Sequence, residues 1–393
     1  MTQLYLLSAV VTLYGVANGL LQIANPQAAL LLGLKSQELG TVSAGMPLGY
    51  AVGCLFLGRV TRGLSGKTVL LGGVFTSLSA FLIMALLQSK TGCMVSMILF
   101  GLAGGAFWPF ASSWMLDFQS ESIPKSRIIR MYNLSWSSGT ATGLFCGGLL
   151  CARKWIFEAV WVGVGLQIML VFLALIPKAT VHHESRQTDG APPVRKVVFW
   201  ALICAVACNM LALASRAVIL NNYAELNELY KFKADRIGTF LTVTLLFQLS
   251  TFFLNTWYEK YLGFKRTYFI LALALIGVNL TFSFATELWI LIPCAAVLGS
   301  SLAVAFQCCL FASTGFFHSA RTATTFHEAM VGVGQTFTLI AGFLIEFGKN
   351  EHWNTITALQ SPFWVLSGCA VVIYVFQNFA LSWGKGRQAL AAH

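Results

Sequence analysis

The sequence predicts an all-α integral membrane protein with twelve transmembrane helices in two six-helix repeats. Of its 393 residues, 57% are hydrophobic and only 10% are charged, which is more apolar surface than a soluble protein of this length could bury. Apolar stretches of about 20 residues, the length that crosses a bilayer, occur twelve times. Short motifs also recur at a spacing of 195 to 197 residues, which indicates that the two halves share one plan.

Six spans are predicted in each half. The first set covers approximately residues 4–32, 40–58, 68–88, 93–116, 131–151 and 155–176, and the second covers 197–220, 236–257, 267–286, 289–313, 328–347 and 362–383. The polar stretch between the two sets is charged and contains prolines, as expected of a linker. We therefore expect an N-terminal bundle at 1–176, a cytoplasmic linker at 177–196 and a C-terminal bundle at 197–393.

The positions of Lys and Arg predict the orientation. If the N-terminus is inside, the inner loops and tail carry 16 of the 25 basic residues and the outer loops carry 8, so both termini are expected in the cytoplasm. The first span has no cleavage-site pattern and no outer loop is long, which favours a multi-pass protein of a bacterial inner membrane. The net charge of +11 thus reflects topology. We expect no nucleic-acid partner, and the inner face should attract anionic membrane lipid.

Glycines relate the two halves to each other. Gly66 and Gly263 follow spans 2 and 8 and lie 197 residues apart, and Gly139 and Gly334 lie 195 residues apart in spans 5 and 11. Two parallel repeats of six spans are typical of secondary transporters, which bind their substrate near the midplane between the halves.

Two motifs carry a family resemblance. The loop after span 2 reads GRVTRGLSGK at 58–67, and span 5 contains GTATGLFCGG at 139–148. They resemble the G-x-x-x-D-R-x-G-R-K loop and the G-x-x-x-G-P-x-x-G-G pattern of the major facilitator superfamily of secondary transporters. Arg62 and Leu144 replace the acid and the proline of those patterns. The resemblance covers essentially the whole chain and implies two six-helix bundles that rock around a central site.

The resemblance also implies gating residues at the inner face. In the family, the acid of the first loop meets the N-terminus of a helix in the other half. The second-half copy keeps an acid, Glu259, followed by Lys260. Glu259 is therefore expected to latch against the start of span 5. Arg62 is then expected to pair with Asp117 or Glu121.

Two glycine stripes have a four-residue spacing, which places each stripe on one helix face. They are Gly139, Gly143 and Gly147 in span 5 and Gly45, Gly49 and Gly53 in span 2. The family packs span 5 against span 8 and span 2 against span 11, so the stripes are expected at a gliding interface between the halves. Ordinary packing within one half is the alternative.

Polar side chains within the spans predict the substrate site, because a polar group in lipid must meet a partner or water. The candidates are Asn18, Gln22, Asn133, Asn209, Arg216, Gln248, Gln307 and Gln335, with Trp108 and Trp136 as apolar walls. Arg216 lies inside a span and would bind a carboxylate or phosphate in a bidentate manner. The alternatives for Arg216 are that it snorkels outward or pairs with Glu158 or Glu346.

The acidic residues restrict the coupling mechanism. All 14 are predicted in loops or near span ends, and Glu328 and Glu346 bracket span 11 at a separation of about 27 Å. A midplane carboxylate is the usual proton carrier, and none is predicted. Transport is therefore expected to be uniport or exchange, or to use a proton that travels with the substrate or through His327 and Glu328 near the inner gate. A loop ion pair is the alternative for these two residues.

The sequence thus predicts a monomeric secondary transporter that moves a small organic anion or zwitterion by alternating access. No metal, cofactor or enzymatic activity is expected, and protons are a candidate coupling ion. An efflux antiporter for amphipathic compounds is one alternative, which the aromatic content allows. A transporter-like receptor or assembly factor that does not cycle is another, because Arg62 breaks the usual latch.

Overall fold

The structure is a computed structural model that describes ten ranges of the chain. These are residues 2–34, 36–57, 64–116, 118, 123, 125–177, 195–229, 235–285, 287–317 and 320–383. Most of the predicted linker, residues 178–194, lies outside the described residues, so the linker stays a prediction.

Six helices form the N-terminal half. They are α1 (Thr2–Leu31), α2 (Ser36–Val52), α3 (Gly66–Leu87), α4 (Lys90–Leu116), α5 (Lys125–Ala152) and α6 (Ile156–Leu175). A π-helical turn at Gly53–Leu57 extends α2. α3 begins after Ser65, whose hydroxyl oxygen accepts a hydrogen bond from the Thr68 backbone N–H at 3.1 Å, as expected of a helix N-cap.

Seven helices build the six spans of the C-terminal half. They are α7 (Arg195–Leu229), α8 (Asp235–Phe253), α9 (Lys265–Phe284), α10 (Leu288–Phe316), α11 (Ala320–Gln335), α12 (Phe337–Asn350) and α13 (Thr355–Trp383). Two short helical turns at Asn255–Tyr258 and Glu259–Tyr261 follow α8. Gly263 then turns the chain into α9 with a φ of +79°, a conformation that glycine adopts without steric strain.

The predicted span 11 is divided into α11 and α12. The two helices are separated by the single residue Thr336, which lies beside Gln335, one of the predicted site residues. The backbone N–H of Thr336 keeps its helical bond to the Gly332 carbonyl and shares it with the Val333 carbonyl, each at 3.2 Å. Thr322–Asn350 therefore remains one apolar span with a local irregularity at Thr336.

Ten helical segments within the described ranges are long and apolar enough to cross a membrane. The two other spans are α5, which contains a run of serines and threonines at 135–142, and α8, whose apolar part is the shorter segment Thr239–Phe253. α5 and α8 pack against each other. Ser137 and Thr140 of α5 are buried, and the exposed hydroxyls of Ser138 and Thr142 donate hydrogen bonds to backbone carbonyls of their own helix. With these two helices the fold has the twelve spans that the sequence predicts.

The two halves meet along two sets of helices. α5 packs against α8, and α2 packs against both α11 and α12. α11 also contacts α4 and the π-helical turn after α2. Contacts between the halves therefore occur at both ends of span 11.

The predicted place of the glycine stripes is wrong. A Cβ atom built on Gly139 or Gly143 would collide with the backbone of Thr12 or Val16 in α1, which belongs to the same half. The remaining stripe glycines also meet helices of their own half. Gly147 faces α1, and Gly45, Gly49 and Gly53 face α4. The stripes therefore hold the N-terminal bundle together at short backbone distances, as the alternative interpretation has it.

Other glycines make the close approach between the halves. A Cβ atom on Gly332 of α11 would lie 2.8 Å from both the Pro47 carbonyl oxygen and the Ala51 backbone nitrogen of α2. A Cβ atom on Gly40 of α2 would lie 2.8 Å from the carbonyl oxygen of Thr338 in α12. The interface between α2 and span 11 thus depends on one glycine from each side.

Candidate functional site

A cavity of about 90 Å³ lies between the two halves. The N-terminal half contributes side chains from α1, α2, α4 and α5, and the C-terminal half contributes side chains from α7, α8, α10 and α11. Of the ten predicted site residues, seven line this cavity. They are Asn18, Gln22, Trp108, Trp136, Arg216, Gln248 and Gln335.

The other three predicted residues do not line the cavity. Asn133 is buried in α5, where its Oδ1 accepts a hydrogen bond from the Trp136 indole N–H at 3.2 Å, so it positions a cavity wall. Asn209 is fully buried, and neither polar atom of its side chain has a partner among the described residues. Gln307 is 3% exposed. Spacing along a helix placed these amides in the spans but did not determine which face meets the cavity.

A chain of hydrogen bonds crosses the cavity from one half to the other. Arg216 of α7 donates from a terminal guanidinium nitrogen to Gln22 Oε1 at 2.9 Å. Gln22 in turn donates from Nε2 to Asn18 Oδ1 at 3.1 Å. The guanidinium therefore faces the interior rather than the lipid, and the Arg216 side chain also borders a second, adjoining cavity of about 30 Å³.

Arg216 has no acidic partner among the described residues. No described acid lies within ion-pair distance of it, and Glu158 and Glu346 are among the residues described. Its Nε atom is buried without a hydrogen-bond partner in the described part of the chain. A guanidinium has five N–H donors in a fixed planar arrangement, so this group has donors left for an anion in the cavity.

A carboxyl group lines the same cavity, which the sequence did not lead us to expect. Glu328 of α11 is 7% exposed and accepts a hydrogen bond from the Tyr50 hydroxyl of α2 at 2.6 Å. The predicted span 11 began at residue 328, whereas α11 begins at Ala320. Glu328 is thus eight residues inside the helix, about 12 Å from its start at 1.5 Å per residue. The sequence predicted Glu328 at the end of span 11, away from the central site; that placement is wrong, because the residue lines the cavity between the halves.

His327 is also inside α11 and does not lie in a loop. It is 1% exposed, and its ring lies edge-on to the Phe306 ring with the centroids 4.3 Å apart. Neither ring nitrogen has a hydrogen-bond partner among the described residues. The loop ion pair considered for His327 and Glu328 is therefore not the arrangement that the structure has.

Most of the predicted latch cannot be compared with the structure. Arg62, Asp117 and Glu121 lie outside the described residues, and so does the side chain of Glu259. Lys260 is exposed, and its ammonium nitrogen lies 5.1 Å from the centroid of the Tyr261 ring. The gating roles of these residues stay predictions.

Aromatic and hydroxyl side chains complete the cavity wall, and sequence reasoning missed most of them. They include Tyr50, Phe100, Tyr132, Thr140 and Phe306. A tyrosine within an apolar span is a signal that was available for Tyr50, because its hydroxyl needs a hydrogen-bond partner in lipid. The cavity thus combines one guanidinium, one carboxyl group, several amides and aromatic walls.

Comparison with known proteins identifies the family. The model of the Major Facilitator Superfamily matches residues 7–217, which is more than half of the chain. No curated protein sequence matches the chain.

Solved structures of transporters have the same fold. The nucleoside transporter NupG has a TM-score of 0.73 at 13% identity, covering 97% of this chain and 99% of NupG. A variant of the E. coli fucose:proton symporter FucP has a TM-score of 0.61 at 16% identity, covering 97% and 98%. The human organic anion transporter MFSD10 has a TM-score of 0.67 at 12% identity, covering 95% and 98%. At these identities the similarity extends to the fold only.

Proposed function

This chain belongs to the major facilitator superfamily, and from that premise we propose that it is a secondary transporter for a small organic anion or zwitterion. The two six-helix halves would alternate access to the cavity between them. We place the protein in a bacterial inner membrane as a monomer. The distribution of basic residues favours an orientation with both termini in the cytoplasm.

The proposed substrate class rests on the guanidinium of Arg216, which borders the cavity without an acidic partner among the described residues. A cation inside a membrane protein requires an anion or a set of acceptors. Gln22 supplies one acceptor at 2.9 Å, and no described acid neutralises the charge. A carboxylate or phosphate of the substrate would neutralise it with paired hydrogen bonds.

The volume of the cavity favours a small substrate over an amphipathic drug. Drug-sized ligands occupy sites of about 300–1,000 Å³, and the cavity between the halves is about 90 Å³. Export of amphipathic compounds would require a much wider cavity in another conformation. The structural neighbours do not select a substrate, since their names specify nucleosides, fucose and organic anions.

Glu328 makes protons the favoured coupling ion. It lies in the cavity that Arg216 lines and is bonded to Tyr50 of the opposite half. A carboxyl group at this depth is costly when charged, so a change in its protonation would alter a contact between the halves. Proton transfer through Glu328 would thereby couple to the movement of the two bundles.

The proposal is tested by thermal unfolding of the detergent-purified protein with carboxylates, phosphates, amino acids, sugars and lipophilic cations. A ligand that binds the folded state raises its stability by mass action. We expect an anion or zwitterion to stabilise the wild type and Arg153→Ala, which removes an exposed cation outside the cavity. Arg216→Ala should lose that stabilisation, and Arg216→Lys should retain part of it because the charge remains without the planar donors.

Other outcomes distinguish the alternatives. Stabilisation by lipophilic cations in both the wild type and Arg216→Ala would contradict the anion site and favour efflux. If an anion binds, proteoliposomes with an imposed proton gradient should accumulate it above its external concentration. Binding of the anion without any flux would favour a receptor that does not cycle.

A further inference from the structure

A large groove lies on the outer surface of the C-terminal half, away from the central cavity. Its volume is about 1010 Å³, and it is bordered by α8, α9, α10 and the helical turns between α8 and α9. Its walls are mainly apolar and include Phe247, Ile270, Ala274 and Val297. Ile270 is 64% exposed and Val297 is 44% exposed, so the groove opens toward the hydrocarbon of the membrane.

Three cations lie at one end of this groove. Lys260, Lys265 and Arg266 are among its lining residues, and that lining contains no acid. Lys265 donates from its ammonium group to the Ser382 hydroxyl of α13, and Lys260 lies beside the Tyr261 ring. No described acid is within ion-pair distance of any of the three. The end of the groove therefore carries positive charge that no described carboxylate neutralises.

The cationic end lies at the level of the membrane surface. Trp257 and Tyr261 are 78% and 55% exposed in the same connection, and exposed aromatic residues of these types mark the boundary between lipid headgroups and acyl chains. The distribution of basic residues predicts that this surface is the cytoplasmic one.

The depth of the groove matches one leaflet. From Arg266 to Ala274 along α9 there are eight residues, which is about 12 Å at 1.5 Å per residue. The hydrocarbon core of a bilayer is about 30 Å thick, or about 15 Å per leaflet. An acyl chain that enters beside the cations would thus lie in the groove for most of its leaflet.

We propose that this groove is a specific binding site for an anionic glycerophospholipid of the cytoplasmic leaflet. The phosphate and any further negative charge of the headgroup would lie between Lys260, Lys265 and Arg266, and one acyl chain would fill the apolar part. Each cation near an anionic surface contributes on the order of 1 kcal/mol. Because the groove shares no residue with the cavity, the inference does not depend on the transported substrate.

The test is thermal unfolding of the full chain in neutral detergent with added phosphatidylglycerol or phosphatidylcholine of identical acyl chains. Phosphatidylglycerol should raise the unfolding temperature more than phosphatidylcholine does. Lys265→Ala/Arg266→Ala should weaken its binding about 30-fold. Arg127→Ala/Arg130→Ala removes two exposed cations from the start of α5 on the same predicted side, and it should leave binding unchanged.

A second variant keeps the test valid if the double substitution fails to fold. Ala274→Phe fills the apolar part without changing any charge, and it should also abolish the difference between the two lipids. Equal shifts with the two lipids would overturn the proposal, and so would equal loss in the Arg127→Ala/Arg130→Ala control. The proposal is also wrong if water-soluble glycerol phosphate reproduces the full shift, because the acyl chain would then contribute nothing.

Discussion

Substitution of Gly332 by alanine tests whether the two halves move as separate bodies. The added Cβ would lie 2.8 Å from two backbone atoms of α2, the Pro47 carbonyl oxygen and the Ala51 nitrogen, and 3.0 Å from the Ala51 Cβ. Backbone atoms cannot rotate away, so α2 and α11 must separate. Overpacking of this kind costs about 1–3 kcal/mol.

The clash is present only in conformations in which α2 and α11 are packed together, so its free-energy cost changes the ratio between packed and separated conformations. Alanine favours a helix over glycine by about 1 kcal/mol, but residue 332 is expected to stay helical in every conformation, so that gain cancels. The ratio of conformations with α2 and α11 apart to those with them together should rise by the full cost, about 5- to 150-fold.

The assay measures the distance between one spin label on each half at the predicted inner end. Leu64 of the N-terminal half and Trp257 of the C-terminal half are 50% and 78% exposed, and both are replaced by cysteine for labelling. Among the described cysteines, Cys146 is exposed and Cys294 and Cys369 are partly exposed, so the labelling background replaces all three with serine. The longer distances should gain population in Gly332→Ala.

Two glycine variants serve as matched controls. Gly143→Ala should lower the unfolding temperature without changing the distance distribution, because its clash is with α1 of the same half. Gly72→Ala should not lower the unfolding temperature and should not shift the distance distribution, since a Cβ there meets no atom within 4 Å. An unchanged distribution in Gly332→Ala, or an equal shift in Gly143→Ala, would refute the reasoning.

Two further predictions concern the charged side chains. In proteoliposomes, Glu328→Gln should abolish substrate accumulation driven by a proton gradient but leave substrate exchange across the membrane measurable. The reason is that an amide has the size of the carboxyl group but cannot release a proton. Proton-driven accumulation at the wild-type level would show that Glu328 does not carry the proton. Lys90→Ala should change the free energy of unfolding by less than about 1 kcal/mol, because the 3.4 Å ion pair of Lys90 with Glu38 joins side chains that are 55% and 58% exposed. A larger loss of stability in a denaturant titration would contradict this value.

Hydropathy predicts the helices well because lipid permits few other structures at that depth. It fails where a helix begins with polar residues. The segment ARTATTFH at 320–327 looks like a loop in a hydropathy profile, yet it forms the first two turns of α11. For that reason the sequence placed Glu328 at the membrane edge, and the structure places it in the cavity.

Partners across helix faces are harder to predict than the helices themselves. The spacing of Gly139 and Gly143 correctly predicts a close approach of another helix, but α1 and α8 both pack against α5, and spacing cannot choose between them. Arg216 was predictable because a cation within a span is rare. Its acceptor, Gln22, required the three-dimensional packing of α1 against α7.

The irregularity at Thr336 determines where span 11 should yield if the two halves move. Bending a regular helix weakens hydrogen bonds that are each worth about 0.5–1.5 kcal/mol. The Thr336 N–H already divides its bond between the Gly332 and Val333 carbonyls, so bending at this residue should lose less than bending elsewhere. We therefore expect any bend to fall between the contacts of α11 with α2 and α4 and the contact of α12 with α2.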